Sequence, residues 1–237
     1  MILEVDSIAK RFGQLRVADA ISLGVAEGEA LGIVGPNGAG KTTLFSLIAG
    51  ALQPDSGRVR LLGRDITGAS SQARCAAGIA RTHQIPRPFG RLSVFENVLV
   101  GACFAKPQSE QEAVELCGAV LETTGLLRHA NTLAGALPLL DRKRLELARA
   151  LATRPRVLLL DEIAGGLTEG ECAVLVEMIR AIGATGVSIL WIEHIVHALL
   201  AVVTRLVVLN FGRVVAEGEP RAVMASREVR EIYLGAI

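Results

Sequence analysis

Gly35-Pro36-Asn37-Gly38-Ala39-Gly40-Lys41-Thr42 fills every position of the pattern G-x-x-x-x-G-K-[ST]. The apolar run at residues 30–34 predicts a buried strand that leads into this stretch. Residues 43–49 have the composition of a helix that leaves it, and Gly50 closes that helix. A strand, a glycine-rich loop and a helix in this order form the context that the pattern requires, so a chance glycine-rich turn is the weaker interpretation.

The residue types in this loop suit the binding of a phosphate chain. Backbone N–H groups can surround phosphates where glycine leaves room, and the N-terminus of the following helix adds partial positive charge. Lys41 supplies a full positive charge, and Thr42 offers a hydroxyl group to Mg²⁺. We therefore predict that this loop binds a nucleoside triphosphate. The predicted contacts are Gly35, Pro36, Asn37, Gly38, Ala39, Gly40, Lys41 and Thr42.

Two later apolar strands end in polar side chains that belong with this loop. Residues 157–160 lead into Asp161 and Glu162, and residues 187–192 lead into Glu193 and His194. Ligands bind at the carboxyl ends of strands in open α/β sheets. We expect Asp161 to hold Mg²⁺, Glu162 to orient or activate the attacking water, and His194 to reach the terminal phosphate. A solvated acidic turn and a structural histidine are the alternatives.

Composition excludes several classes of protein. With 25 basic and 24 acidic side chains the formal net charge is +1, which gives no electrostatic case for nucleic-acid binding. The four cysteines have no C-x-x-C spacing, and the N-terminus lacks a signal-peptide layout, so a reducing cytoplasmic location is expected. Mean hydropathy is high at +0.44, but polar residues interrupt the longest apolar stretch, residues 187–211. No membrane span is expected, whereas docking to another subunit is.

The order of segments predicts one α/β domain over residues 1–237, in three parts. Residues 1–84 hold an antiparallel β subdomain and the loop-bearing part of the core. Residues 85–152 form a helical subdomain. Residues 153–237 complete a parallel core sheet and add two strands, at 207–210 and 212–218, and a C-terminal helix.

Four separated motifs together resemble the ATP-binding cassette of transporters, over the whole chain. They are Lys41 to Thr43, Gln84 after Arg81-Thr82-His83, the pair Asp161-Glu162, and His194. More narrowly, residues 142–151, Glu217-Gly218-Glu219-Pro220 and Tyr233-Leu234-Gly235 resemble the cassettes of branched-chain amino-acid uptake systems. The resemblance implies the P-loop NTPase fold, with a RecA-like parallel sheet core, an N-terminal antiparallel β subdomain and a helical subdomain.

The resemblance also implies an activity and partners. ATP with Mg²⁺ would be bound and hydrolysed at the cytoplasmic face of the inner membrane, by a peripheral subunit. Its partners would be a second cassette, two integral membrane permease subunits and, indirectly, an external solute-binding protein. The solute stays open: branched-chain amino acids are the family expectation, and urea, amides and aromatic acids are alternatives.

Individual site residues follow from the same resemblance. Phe12 would stack on adenine, although a core role at an edge strand is as well supported by the sequence. Thr43 would join the nucleotide contacts. Gln84 would touch the metal or the attacking water and relay the position of the membrane subunit, whose groove residues 85–97 would line. Glu162, His194 and Gln84 form the expected catalytic set, and Thr42, Gln84 and Asp161 the metal set.

One segment departs from the family pattern. Where Leu-Ser-Gly-Gly-Gln or a close variant is expected, the chain has Leu137-Pro138-Leu139-Leu140-Asp141. Pro138 removes a hydroxyl and an N–H, Leu140 blocks close backbone approach, and the carboxylate of Asp141 is expected to repel a partner's triphosphate. For the helix itself, proline at its first position and an acid in its first turn are favourable. We therefore expect an asymmetric heterodimer in which the site that uses this segment hydrolyses slowly or not at all.

A second departure is Thr168, which stands where the loop after Glu162 usually ends in aspartate.

Two other functions compete with transport. A soluble cassette ATPase that acts on DNA or ribosomes would carry a coiled-coil insertion or two cassettes, and this chain has neither. A regulatory module that binds ATP without hydrolysis is disfavoured because Glu162 occupies the general-base position.

Overall fold

The computed structural model describes residues 1–105 and 109–234, and in these the strands form a four-stranded and a six-stranded sheet. The strands are β1 (Leu3–Phe12), β2 (Leu15–Val25), β3 (Ala30–Val34), β4 (Ser56–Leu61), β5 (Arg64–Asp65), β6 (Ile79–Arg81), β7 (Val157–Asp161), β8 (Ser188–Ile192), β9 (Arg205–Asn210) and β10 (Arg213–Gly218). The helices are α1 (Lys41–Ile48), α2 (Ser71–Ala77), α3 (Val94–Ala105), α4 (Glu110–Thr123), α5 (Leu139–Leu151), α6 (Glu169–Ala184), α7 (Val196–Leu200), α8 (Pro220–Ala225) and α9 (Arg227–Leu234).

The smaller sheet is antiparallel, as the sequence predicts, with strand order β2-β1-β4-β5. Leu3 stands opposite Val25 on one side and Leu61 on the other, and all three side chains are buried. This face packs against α1, whose Leu44, Phe45, Leu47 and Ile48 belong to the same core. Full burial of an apolar side chain contributes about 1.5–3 kcal/mol, so the β subdomain holds α1 firmly in place.

The larger sheet has the order β10-β9-β3-β8-β7-β6, in which β10 alone is antiparallel to its neighbour. In β7 and β8 every side chain is buried, which matches the continuous apolar runs in the sequence. Asp161 at the end of β7 is in register with Ile192 at the end of β8, and Ile33 of β3 pairs with the same residue. Parallel pairing therefore brings the segments after β3, β7 and β8 to one edge of the sheet.

Helices α3, α4 and α5 enclose a separate apolar core, which contains Val98, Cys117, Leu121 and Leu145. The long apolar stretch at residues 187–211 divides into β8, α7 and β9. None of the described helices is both long enough and apolar enough to cross a membrane. Of the motif Tyr233-Leu234-Gly235, Gly235 lies outside the described residues.

Candidate functional site

The loop between β3 and α1 has backbone angles that only glycine adopts easily. Gly40 has φ of 101° and precedes the first residue of α1, and a Cβ there would lie 2.5 Å from the carbonyl oxygen of Val17. At Gly35 the added carbon would lie 2.1 Å from the carbonyl oxygen of Leu209. The predicted helix at residues 43–49 begins earlier, at Lys41, because Gly40 makes the turn that starts it.

Lys41 and Thr42 thus begin the helix, where the first N–H groups lack helical partners and can bind an anion. The loop borders a cleft of about 220 Å³ lined by Val17, Asn37, Gly38, Gly40, Lys41, Thr42, Thr43 and Glu162. The ammonium group of Lys41 is 5% exposed and donates to the carbonyl oxygens of Gly35, at 2.7 Å, and Pro36, at 3.0 Å. Burial lowers the pKa of Lys41, while Glu162 and Asp161 oppose that shift.

Asp161 is almost fully buried and is held by a residue that the sequence argument gave no role. The guanidinium of Arg81 donates to Asp161 Oδ2 at 2.6 Å and to Ser46 Oγ at 3.0 Å, and it lies over the ring of Phe45. Thr82 Oγ1 accepts the backbone N–H of Asp161 at 3.3 Å. The carboxylate is therefore fixed between β6 and α1, which carries Thr42.

Glu162 brings together two other predicted residues. Its carboxylate accepts a hydrogen bond from the side-chain amide of Gln84 on Oε2, and Oε1 lies 2.7 Å from Nε2 of His194. Its backbone has φ of 46°, a left-handed conformation that costs about 1–3 kcal/mol for a residue with a side chain. The backbone N–H of Glu162 donates to the carbonyl of Ile192 at 2.8 Å and so supports the turn. Gln84 and His194 therefore both contact Glu162, which lines the cleft.

Glu193, between β8 and His194, is 2% exposed, and the sequence argument gave it no function. Its carboxylate accepts backbone N–H groups from Ala164, at 3.1 Å, and His194, at 3.0 Å. Burial raises the pKa of Glu193, and these N–H groups oppose that rise. The side chain joins the turn after Glu162 to the turn that carries His194, so it fixes their separation.

Phe12 is the predicted contact that lies away from this cleft. It ends β1, is paired with Leu15 across the hairpin and is 48% exposed, and the ammonium of Lys10 lies 5.9 Å from its ring centre. Val17, further along the same hairpin, does line the cleft. The stacking of Phe12 on adenine stays a prediction.

The segment at residues 137–141 differs from expectation in two respects. Pro138 precedes α5 as its cap residue, and the prediction that it is the first helical residue is wrong, because its ψ of 168° is extended. The carboxylate of Asp141 is not an exposed repulsive charge: it is buried, 2.9 Å from Arg144 Nη1 and 3.7 Å from His129 Nε2. A first-turn side chain can face the interior, and here a cation one turn later pairs with it.

Thr168 has a clear local role. It caps the N-terminus of α6 by accepting the N–H of Glu171 on its hydroxyl, while Glu171 accepts the N–H of Thr168 at 2.8 Å. Such a reciprocal capping box stabilises the helix start by about 1 kcal/mol. The residue is therefore explained by the helix it begins.

The oxygen donors at the site fit Mg²⁺. Thr42 offers a hydroxyl, Asp161 a carboxylate and Gln84 an amide oxygen, which are the hard ligands that this ion prefers. Within residues 1–105 and 109–234 no group of three or more His, Cys, Asp and Glu side chains could enclose a metal ion. Mg²⁺ binds through one or two protein ligands, waters and substrate phosphates, so this donor set fits an ion that arrives with the nucleotide.

Known proteins share both the sequence and the fold. The family model described as ABC transporter matches residues 18–165. The chain is 36% identical to the high-affinity branched-chain amino acid transport ATP-binding protein BraF of Pseudomonas aeruginosa, over 99% of the chain and 98% of that protein. It is 34% identical to LivG of Escherichia coli strain K12, which has the same description, again over 99% of the chain and 98% of the relative.

Solved structures agree with the sequence relatives. The ADP conformation of an ATP-binding cassette of an ABC transporter superposes with a TM-score of 0.90 at 33% identity, over 99% of this chain and 98% of that one. A nucleotide-free cassette gives a TM-score of 0.89 at 31% identity, over 98% of both chains. Since the family model covers more than half of the chain and relatives match nearly all of it, this protein belongs to the ABC transporter family and is one of its ATP-binding, ATP-hydrolysing subunits.

Proposed function

We propose that this chain energises an importer of branched-chain amino acids or related small polar solutes. It would be peripheral to the cytoplasmic face of the inner membrane, with two integral permease subunits, a second cassette and, indirectly, an external solute-binding protein. The choice of solute is supported by BraF and LivG, branched-chain amino acid transport proteins to which nearly the whole chain is similar. Urea, amides and aromatic acids are the alternatives that uptake measurements distinguish.

The contact of Glu162 with both Gln84 and His194, beside Lys41, carries the mechanism. Lys41 and the N–H groups at the start of α1 hold the phosphate chain in line. Thr42, Asp161 and Gln84 would hold Mg²⁺, and the ion would supply positive charge to the phosphates during hydrolysis. Glu162 accepts the proton of the attacking water on a remaining lone pair, because Gln84 and His194 fix the orientation of its carboxylate.

A groove beside Gln84 supports the permease contact. It encloses about 470 Å³ and combines apolar lining with charged side chains, among them Arg81, Arg87, Glu146 and Arg149. A short polar helix or loop of a membrane subunit is the occupant that such a mixed lining suits. Because Arg81 also holds Asp161, an occupant of this groove would lie one side chain from the metal site.

The segment at residues 137–141 supports an unlike second cassette. It lacks the serine hydroxyl and the small residue that would bind the partner's nucleotide, whereas this chain's own loop, Asp161, Glu162 and His194 are complete. The partner would therefore supply an intact signature to this site. In the assembled pair, Pro138→Ser with Leu140→Gly should raise turnover at the reciprocal site, and unchanged turnover there would count against the asymmetry.

The decisive experiment uses the importer complex that contains this chain, purified from membranes and reconstituted in proteoliposomes. ATP-dependent uptake of labelled leucine is expected, with a Glu162→Gln complex as the matched control that binds ATP without turnover. Removal of the proton acceptor should lower turnover by about 10²–10⁴-fold. Uptake of urea or an aromatic acid in place of leucine would correct the solute, and hydrolysis that is insensitive to the Gln substitution would refute the role of Glu162.

A further inference from the structure

Three charged side chains on α5 lie on one face and point at the segment that carries Gln84. Lys143, Glu146 and Arg149 are spaced at i, i+3 and i+6, so they follow one stripe of the helix. Lys143 is 3% exposed and Glu146 is 5% exposed. Arg149 is half-buried. Buried helix positions are ordinarily apolar, so the charges of Lys143 and Glu146 require an explanation.

Each of the three holds a backbone group of residues 83–87. Lys143 Nζ donates to the carbonyl oxygen of Gln84 at 2.8 Å, and Glu146 Oε1 accepts the N–H of His83 at 3.3 Å. Arg149 Nη1 donates to the carbonyl oxygen of Arg87 at 2.9 Å. The segment between β6 and α3 is thereby tied to α5 at three points, in a stretch without regular secondary structure.

Lys143 is the member of the stripe nearest the reacting groups. The carboxylates of Glu193, Glu162 and Glu146 all stabilise its charge, but burial outweighs them and lowers its pKa. A buried charge is costly to stability, and an apolar residue of similar size would be neutral or better for folding. The positive charge of Lys143 is therefore better explained by its hydrogen bond to the backbone of Gln84 than by a gain in stability.

We propose that Lys143 is a positioning residue for ATP hydrolysis, which fixes the backbone of Gln84 so that the Gln84 side chain meets Glu162. The inference rests on the proposed role of Glu162 as proton acceptor. Gln84 itself is exposed, and without Lys143 its carbonyl would turn to solvent and its side chain would no longer be held against the carboxylate. The hydrogen bond of Lys143 goes to the Gln84 carbonyl, and Lys143 is not among the residues that line the nucleotide cleft, so we expect nucleotide affinity to change little without it.

The test compares Lys143→Met, Lys143→Arg and Arg144→Met in the purified importer complex that contains this chain. Arg144 is the next cation along α5 and pairs with Asp141, away from residues 83–87. The Met variant at 143 should lose about 10–100-fold in kcat, the scale on which misplaced supporting groups act. Its KM for ATP and its Kd for a fluorescent ATP analogue should stay within about twofold of wild type, since such changes leave binding intact. The Arg variant should recover most of kcat, and Arg144→Met should keep it.

A Lys143→Met chain with wild-type kcat would overturn the inference, as would equal losses of kcat and nucleotide affinity in the Met and Arg variants. If the Met variant fails to bind nucleotide, Lys143→Gln replaces it, because glutamine keeps a donor but loses the charge. A Gln variant with kcat below that of the Arg variant supports positioning by the cation, and wild-type kcat contradicts it. Hydrolysis that is equally fast in wild type and in Glu162→Gln would instead overturn the proposed function. The two failures are therefore distinguishable.

Discussion

Replacement of Arg74 by methionine should destabilise the nucleotide-binding half of the protein. Arg74 lies in α2 and is fully buried. The carboxylate of Asp65 favours its charge, and its guanidinium donates to four backbone carbonyls. The acceptors are Leu47 at 2.6 Å, Ile48 at 2.8 Å, Thr67 at 2.6 Å and Ala69 at 3.2 Å. The first two belong to the last turn of α1, where carbonyls lack helical partners.

The magnitude follows from opposing contributions. A hydrogen bond to a charged group contributes about 1.5–3 kcal/mol, so four of them would sum to about 6–12 kcal/mol. The cost of burying the guanidinium offsets several kcal/mol of that sum. The same burial lowers the pKa of Arg74. We therefore expect Arg74→Met to reduce the free energy of unfolding by about 3–5 kcal/mol. In a chain of this size that loss corresponds to a fall in Tm of about 6–20 °C.

Calorimetric melting and urea denaturation measure this loss. Arg74→Lys should fall between wild type and the Met variant, because an ammonium group cannot reach all four acceptors on two separate segments. Arg58→Met is the matched control: Arg58 lies exposed on β4, and its loss should change stability by less than about 0.5 kcal/mol. If the free energy of unfolding of Arg74→Met lies within about 1 kcal/mol of that of wild type, the reasoning is refuted. Buried carbonyls that lose their donors should lower stability by more than that.

Three further predictions concern the site and the sheet. His194→Ala should lower kcat by about 10–100-fold and leave nucleotide affinity unchanged, because it releases one oxygen of Glu162; a parallel fall in affinity would contradict an orienting role. Lys41→Ala should abolish the calorimetric heat of binding of an adenine nucleotide with Mg²⁺, and an unaltered trace would exclude the predicted phosphate site. Burial pushes the pKa of Glu29 upward, but the hydrogen bonds from Arg205 and the Ala26 N–H hold it below the ordinary value of 4.5. Its stabilisation is thus present above pH 4.5 and is lost as pH falls through the lowered pKa, so wild type and Glu29→Gln should converge in stability as pH falls below 4.5; a constant gap would contradict this pairing.

Local patterns predicted the parts of the molecule that depend on consecutive residues. The loop after β3, the carboxylates after β7 and the histidine after β8 were located correctly because glycine spacing and apolar runs report directly on strand, turn and helix. Their convergence could also be inferred, since parallel strands share a carboxyl edge. Nε2 of His194 lies 2.7 Å from Oε1 of Glu162, whereas its contact with the terminal phosphate stays a prediction.

Side chains that act across the fold could not be predicted in this way. Arg81 and Asp161 are 80 residues apart in sequence, and Lys143 and Gln84 are 59 apart, so no window of sequence contains both partners. Arg74 gives even less signal, because its partners are backbone carbonyls that every residue carries. A hydrophilic residue in a helix normally indicates a solvated face, and for Arg74 and Lys143 tertiary packing reversed that expectation.

Asp141 shows how such a reversal changes a functional argument. An exposed carboxylate at this helix start would repel a partner's triphosphate. Asp141 is instead buried in the helical subdomain, beside Arg144 and His129. Repulsion therefore cannot be the reason that residues 137–141 bind a phosphate poorly. What remains is the absence of groups: proline at 138 has neither hydroxyl nor N–H, and leucine at 140 keeps the backbone away. The asymmetric pair that we propose thus depends on lost hydrogen-bond donors, a defect that two substitutions can repair while Asp141 stays in place.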